Sequence, residues 1–526
     1  MTRRPNFLVI MTDQQRWDHL GCYGNRQVRT PTIDAIARGG TRFDRFYVSN
    51  PICQPNRACL ATGQISTVNG CRQNGIPLAP ESVTYADVLR SAGYRTGLIG
   101  KAHFQNVTNI PAPPRKTGGA GDEIADSVRR SWRSQRTGAG YGLEARSRWH
   151  AEPASSLPEP YYGFEHVRLC IGHGDQVDGH YTGWLRERHP DPDSLRGPDN
   201  ALDRESERTA QCWRTAVPEE LHPTRYVAEE ACAFLEAQTA DDPFLLVMSF
   251  PDPHHPFTPP GRYFDMYDPE SLDLPASFAS PVRDRNDLPE AVLEAYRMGD
   301  TDPNSHWPYH VDAAGMRRIL ALNYGSISFI DDELARVIAV LKARGLDRDT
   351  VVCFMSDHGD YMGDHGTVLK MGLHYQSVIR VPFLWHDPHA DGGPATTAIQ
   401  ASAIDFAPTL LQRAGLKVPV GMQGRDLFAA AAANLPVVVE DPGISVFADA
   451  DARSAILSVV HDGWRLSLFE QAPGRGELYH FAEDPDEMAN LWDASEASAR
   501  KADLLEKLCL RQLSLRDMRL CPTARA

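Results

Sequence analysis

Four short apolar runs along the chain each end in a polar, chemically capable residue: Asn6 to Met11 before Asp13, Arg95 to Ile99 before Lys101, Pro243 to Phe250 before His254, and Thr350 to Met355 before Asp357. Runs that are apolar throughout, rather than alternating, predict strands covered on both faces, as in parallel sheets. Helical patterns lie between them. The clearest carries Ile327, Ile330, Leu334, Val337, Ile338 and Leu341 at spacings of three and four and is closed by Gly345. Thr84 and Thr224 read as capped helix starts ahead of two of the strands. This alternation predicts an α/β sheet with crossover helices, in which ligands bind beyond the carboxyl ends of the strands. The four polar positions are therefore expected to converge on one site.

From Phe104 to about Pro160 the pattern turns polar and Gly/Pro/Arg-rich, with Gly118-Gly119 and Arg129, Arg130 and Arg133. It predicts a partly mobile insertion over or beside the site, within a wider region 104–220. Beyond Asn434 two alternating runs, Ala455 to His461 and Trp464 to Phe469, flank Asp462-Gly463, a two-residue turn favoured in hairpins. Ala499 to Leu515 is helical in pattern. These features divide the chain into a main domain, 1–433, and a smaller antiparallel α+β subdomain, 434–526, without an internal repeat.

Composition narrows the class. With 526 residues, 42% of them hydrophobic, the chain can bury a large core. Its 54 basic and 69 acidic side chains leave a formal charge of -15, which argues against a general nucleic-acid or anionic-membrane binder. Any anionic ligand must be captured locally. The first apolar run, Phe7 to Met11, is shorter than the roughly 7–15 residues of a signal-peptide core, and no later run reaches the ~18 of a membrane span. Ten cysteines without framework spacing then read as thiols, and the expected setting is the cytoplasm.

The sharpest local signal is Cys53-Gln54-Pro55-Asn56-Arg57. A cysteine just before a proline at a helix start sits where backbone N–H groups and the helix dipole favour negative charge, a suitable place for a nucleophile that attacks anions. Asp13 and Asp357 at strand ends, with the Gln14 amide and the His358 imidazole, form a set suited to one hard or borderline divalent cation. Cys22, Cys59 and Cys71 lack the spacing of a zinc site and read as packing thiols.

Here the sequence resembles the type I sulfatase family of the alkaline phosphatase superfamily, whose C-x-P-x-R signature is oxidised at cysteine to formylglycine. Further blocks match in family order: Asp13-Gln14, Gly100-Lys101-Ala102-His103, Pro253-His254-His255-Pro256-Phe257, Ser356-Asp357-His358-Gly359, Gly363-Asp364-His365-Gly366 with Lys370, and Arg380-Val381-Pro382. The resemblance implies a large mixed, mainly parallel sheet flanked by helices. It implies a formylglycine-generating enzyme as partner, and a small sulfate ester as substrate. Asp13, Gln14, Asp357 and His358 would bind one metal ion. The family usually has an aspartate where Gln14 stands; calcium is the first expectation, and Gln14 and His358 strengthen the case for manganese as the alternative. The hydrated formylglycine at 53 would attack sulfur while Arg57 and Lys101 orient and neutralise it. His254 and Lys370 would contact the substrate oxygens and assist the leaving group, with His254 the expected donor and Lys370 mainly a charge clamp. His103 would take a proton from the second hydroxyl to release sulfate.

Some positions stay open in the sequence. His255 competes with His254 for the inward place. Asn74, in Gln73-Asn74-Gly75, matches a family asparagine near the leaving group and equally an ordinary turn; His173, in the His173-Gly174-Asp175 cluster, is a candidate for the substrate pocket or a polar loop. Two other functions compete: a phosphonate monoester or phosphodiester hydrolase, against which Lys101 and His103 speak, and a non-catalytic anion binder if Cys53 is never oxidised. The oligomeric state and the organic half of the substrate are not written in the sequence.

Overall fold

The computed structural model describes residues 4–108, 110, 135–152, 155–204, 209–239, 242–302, 304, 307–390, 395–429, 434–441 and 455–520. The Gly118-Gly119 pair and Arg129, Arg130 and Arg133 lie outside the described residues.

Fifteen strands are described: β1 Asn6–Thr12, β2 Thr41–Tyr47, β3 Arg95–Gly100, β4 His166–Ile171, β5 Asp178–Gly179, β6 Phe244–Ser249, β7 Tyr309–His310, β8 Thr350–Ser356, β9 Thr367–Val368, β10 Phe383–His386, β11 Ala395–Ser402, β12 Val437–Asp441, β13 Ile456–His461, β14 Trp464–Phe469 and β15 Gly476–His480. Nine form one sheet in the order β11-β2-β10-β8-β1-β6-β3-β4-β5. The four apolar runs read from sequence are its adjacent centre, β8-β1-β6-β3, and all three of their pairings are parallel. Pairings to β10 and between β4 and β5 are antiparallel, so the sheet is mixed and mainly parallel. Alternate residues of β1 enter opposite cores: Phe7 and Val9 pack on one face with Phe43 and Phe406, Leu8 and Ile10 on the other with Ile327 and Leu334. Burial on both faces is why these strands read as unbroken apolar runs.

The helix Ala313–Ala343 buries Ile327, Ile330, Leu334, Val337 and Leu341, as its spacing predicts. Thr84 caps Tyr85–Ser91 through a capping box with Asp87. Thr224 differs from expectation. The helix starts one residue earlier, at Pro223, whose missing N–H costs nothing at the first helical position, and His222 is the cap. The freed Thr224 hydroxyl donates to Asp252 at 2.6 Å instead.

The region 104–220 is more than a peripheral insertion. It supplies β4 and β5 to the main sheet, and Glu144 accepts the backbone N–H groups of His103, Phe104 and Gln105 at 2.7, 2.9 and 3.1 Å. Strand β4 escaped notice because His166 and Arg168 interrupt its apolar pattern. At the C-terminus β12-β13-β14-β15 form a separate antiparallel sheet, with Asp462-Gly463 turning the β13–β14 hairpin, followed by the helix Ser498–Ser514. Val459, Leu466 and Leu478 of this sheet pack on Cys59 and Ile65, behind the helix Cys53–Thr62. Among the described residues no helix is long and apolar enough to cross a membrane.

Candidate active site

Each central strand delivers a side chain to the same point. Asp13 follows β1 and Asp357 follows β8, both fully buried. Lys101 follows β3 and donates its Nζ to Asp13 Oδ2. Gly100 permits this exit, because its φ is +106° and a Cβ there would lie 1.8 Å from the Ser249 carbonyl oxygen.

Cys53 opens the helix Cys53–Thr62, all ten residues of which are buried. Pro55 falls in the first turn, where its missing N–H is not needed. The Asn50 side chain accepts the Ile52 N–H at 3.0 Å, and Asn74 Oδ1 accepts that of Gln54 at 3.3 Å. Asn74 therefore stands beside position 53, exposed, as a helix cap. Arg57, one turn on, donates from Nε to Asp357 Oδ2 at 2.7 Å and from Nη1 to Ser249 Oγ and the Lys101 carbonyl at 2.8 and 2.7 Å. Its Nη2 is buried with no hydrogen-bond partner among the described residues.

Around Cys53 Sγ the neighbours are His358 Nε2 at 3.0 Å, Lys370 Nζ at 3.1 Å and Asp13 Oδ1 at 3.8 Å. Burial pushes the thiol up, but Lys101, Lys370 and His358 outweigh it and bring it down to about 7. Burial likewise raises Asp13, yet the Lys101 ammonium beside it holds its carboxyl well below the usual range. Cys59, Cys170 and Cys353, buried without such cations, are pushed well above the ordinary thiol value.

Asp13, Cys53, Asp357 and His358 offer ligand atoms that all lie within 4.8 Å of one another. His358 is oriented as a metal ligand requires. Its Nδ1 meets the Gly359 carbonyl at 2.9 Å, which leaves Nε2 facing Asp13 and Asp357 at 3.5 and 3.6 Å. Gln14 is held from three sides: its backbone N–H meets Asp357 Oδ1 at 3.1 Å, its Nε2 donates to Asp360 Oδ2 at 2.5 Å, and its Oε1 accepts Lys370 Nζ at 2.6 Å. Two carboxylates, an imidazole and an amide oxygen fit one hard or borderline divalent cation. Asp360 escaped the sequence reading; burial raises its carboxyl to about 6, and its other oxygen takes the N–H groups of Met362 and Leu369 at 2.7 and 2.9 Å.

Three imidazoles form a column beside this centre. His173 lies on His254 with ring centroids 3.6 Å apart and 9° between planes, and His254 lies on His255 at 4.0 Å and 29°. Each ring addresses a different neighbour: His173 Nε2 meets Lys101 Nζ at 2.8 Å, His254 Nε2 meets Lys370 Nζ at 3.0 Å, and His255 Nδ1 meets Gln14 Nε2 at 3.2 Å. Of the two sequence candidates, His254 thus reaches the lysine that touches Cys53, and His255 the amide behind it. His103 is buried, with Nδ1 unpartnered among the described residues; burial, Lys101 and Arg57 push it well below its ordinary value. All twelve residues singled out in the sequence stand in or against this one cluster, Asn74 at its rim.

Residues 5–416 match the Sulfatase family profile, and residues 363–514 match the profile described as N-sulphoglucosamine sulphohydrolase, C-terminal. An arylsulfatase of Clostridium perfringens is 28% identical, with 98% of this chain and 95% of that protein covered. A multifunctional alkaline phosphatase superfamily protein, PehA, of Trinickia caryophylli is 27% identical, with coverages of 99% and 97%. Among solved structures, the phosphonate monoester hydrolase of Agrobacterium radiobacter superposes with a TM-score of 0.74 at 25% identity, covering 98% of this chain and 97% of that one.

Proposed function

The chain belongs to the sulfatase family of the alkaline phosphatase superfamily and is a sulfuric ester hydrolase; from that premise we propose that it cleaves a small sulfate monoester to an alcohol or phenol plus inorganic sulfate, with Cys53, converted to formylglycine, as nucleophile. One observation carries this reading. The position-53 side chain stands with Asp13, Asp357 and His358 in one group whose ligand atoms lie within 4.8 Å of one another, with Gln14 against Asp357 and Lys370, and three cationic groups, Arg57, Lys101 and Lys370, adjoin it.

A bound calcium or manganese ion would supply positive charge beside the reacting oxygens. The remaining work falls to the chain's own side chains. Arg57, braced by Asp357, Ser249 and the Lys101 carbonyl, holds one free nitrogen for an anionic oxygen. Lys101 and Lys370 offset charge on the sulfuryl oxygens, which matters most in a buried, low-dielectric site. His103, kept neutral by burial and its cationic neighbours, is suited to take a proton from the hydrated residue 53, whose second hydroxyl a serine would lack. Conversion of Cys53 requires a formylglycine-generating enzyme, and a cytoplasmic setting would suit a substrate small enough to be imported.

Mass analysis of the tryptic peptide Phe46 to Arg57 tests the reading. Loss of the cysteine sulfur and gain of an aldehyde support it; a plain thiol in protein from the native host would overturn it in favour of an anion binder. A second reading, hydrolysis of a phosphonate monoester or phosphodiester, is favoured by the neutral Gln14 in the cation set and by the likeness to the Agrobacterium enzyme. Side-by-side kcat/KM values on an aryl sulfate and an aryl phosphonate monoester rank the two.

A further inference from the structure

His173 is neither a spectator nor a free pocket wall in this geometry. Its loop is locked on both sides. The Asp175 N–H meets Thr258 Oγ1 at 3.2 Å, and Asp175 Oδ2 gathers Trp213 Nε1, Thr215 Oγ1 and the Gly197 N–H at 3.0, 2.7 and 3.1 Å. Gly174 brings this loop against the backbone that carries the other two histidines. Its φ is +53°, and a Cβ there would lie 2.8 Å from the Pro256 carbonyl oxygen. The two loops therefore hold the His173 and His254 rings face to face as a consequence of backbone fit.

We propose that His173 is a positioning residue that acts through two others, fixing the Lys101 ammonium against Asp13 by accepting its hydrogen bond at Nε2 and fixing the plane of His254 by stacking on it. The inference rests on the sulfatase reading above. Lys101 is a long, flexible side chain with three donors, and an acceptor beside Asp13 selects one of its rotamers. His254 can rotate about its side-chain torsions, and a parallel ring 3.6 Å away restricts it to the plane in which Nε2 meets Lys370. One loop residue thereby sets a cation and an imidazole on either side of position 53.

Two variants separate the roles. His173→Phe keeps the stacked ring and removes the acceptor; His173→Gln keeps an acceptor and removes the stack. His173→Phe should lower kcat/KM by about tenfold to a hundredfold on alkyl and aryl sulfates alike, the order expected from misplacing a charged group, and should add no further loss in a Lys101→Ala background. His173→Gln should slow alkyl sulfates more than activated aryl sulfates, because a His254 ring freed from the stack no longer fixes Lys370, the leaving-group donor on the proposed reading. Calorimetric binding of inorganic sulfate gives a readout without turnover, and His173→Phe should weaken it severalfold while the melting temperature stays near wild type; because His173 Nε2 also stands 3.4 Å from Asp13 Oδ2, the titration is run at saturating divalent cation. If the wild type cleaves no sulfate ester, the functional reading fails, and sulfate affinity still decides the role of His173. Wild-type sulfate affinity in His173→Phe, or a loss fully additive with Lys101→Ala, would overturn the Lys101 half; an unselective His173→Gln would overturn the stacking half.

Discussion

Lys370 donates from Nζ to His254 Nε2 across 3.0 Å, while His254 turns its Nδ1 to the His255 carbonyl at 2.5 Å. A carbonyl only accepts, so Nδ1 carries the hydrogen and Nε2 presents a lone pair to the lysine. Burial, with His173, His255 and Lys370 nearby, pushes His254 well below its ordinary value and keeps the ring neutral. On the sulfatase reading proposed above, the proton for a leaving oxygen would come directly from the Lys370 ammonium, whose direction His254 fixes from Nε2. The sequence reading has the opposite division, His254 as donor and Lys370 mainly as clamp, and substrate-dependent kinetics decide between them.

Lys370→Ala and His254→Ala should therefore both slow an alkyl sulfate at least tenfold more than a nitrophenyl sulfate, which departs without protonation. The double variant should be no more selective than the worse single one, as expected for two groups acting as a unit. Equal losses on both substrates in either single variant would reduce that residue to a charge clamp.

Gln14 takes the direction of its amide from Asp360 at Nε2 and from Lys370 at Oε1. Asp360→Asn, whose Oδ1 keeps the Met362 and Leu369 N–H groups, would set an NH2 against Gln14 Nε2 and leave Lys370 alone to hold the amide, so affinity for calcium or manganese should fall about 10–100-fold, as for other residues that orient metal ligands. Calorimetric titration of metal-free protein measures this. An unchanged affinity would remove Gln14 from the cation set.

As a thiol, Cys53 should be the most reactive cysteine in the described core, because folding lowers it from 9.0 to about 7. In metal-free, unconverted protein its alkylation should reach half its maximal rate near pH 7, read by peptide mass mapping, while Cys59, Cys170 and Cys353 stay inert. The sign for stability follows. The ionised thiol contributes fully above pH 9, and that contribution is lost as the pH falls through 7. A half-point at or above pH 9 would show that the surrounding cations do not act on it.

Arg465 is fully buried between Glu477 and Glu487, at 2.9 and 2.8 Å, and Glu487 in turn accepts the Gln376 N–H at 2.6 Å. This network ties the C-terminal sheet to the segment just after Lys370. Arg465→Met leaves Glu487 without its cation, while Glu477 keeps Arg285 at 3.1 Å, and should cost about 3–5 kcal/mol in denaturant unfolding. A loss below about 1 kcal/mol, as for an exposed pair, would contradict it.

The central fold was legible because β1, β3, β6 and β8 are buried on both faces, which leaves unbroken apolar runs. Asp13, Lys101 and Asp357 were legible because each stands just past such a run. Asp360 and the partners of His173 were not, since contacts between residues 346 positions apart (Gln14 and Asp360) or 72 apart (Lys101 and His173) depend on loop paths that no local pattern records. Strand β4 was hidden by charged residues at the partly exposed end of the sheet, and the His222 cap by a threonine two residues on that resembles one.

The most direct test titrates turnover against the chemistry of residue 53. Preparations holding graded fractions of formylglycine, counted by mass on the peptide Phe46 to Arg57, are assayed for multiple-turnover release of sulfate from an aryl sulfate at saturating divalent cation. The rate should rise in proportion to the aldehyde fraction and pass through zero, with Cys53→Ala inactive though folded. Equal turnover by thiol-only protein, or fully converted, metal-loaded protein that releases no sulfate from any ester, would contradict the account.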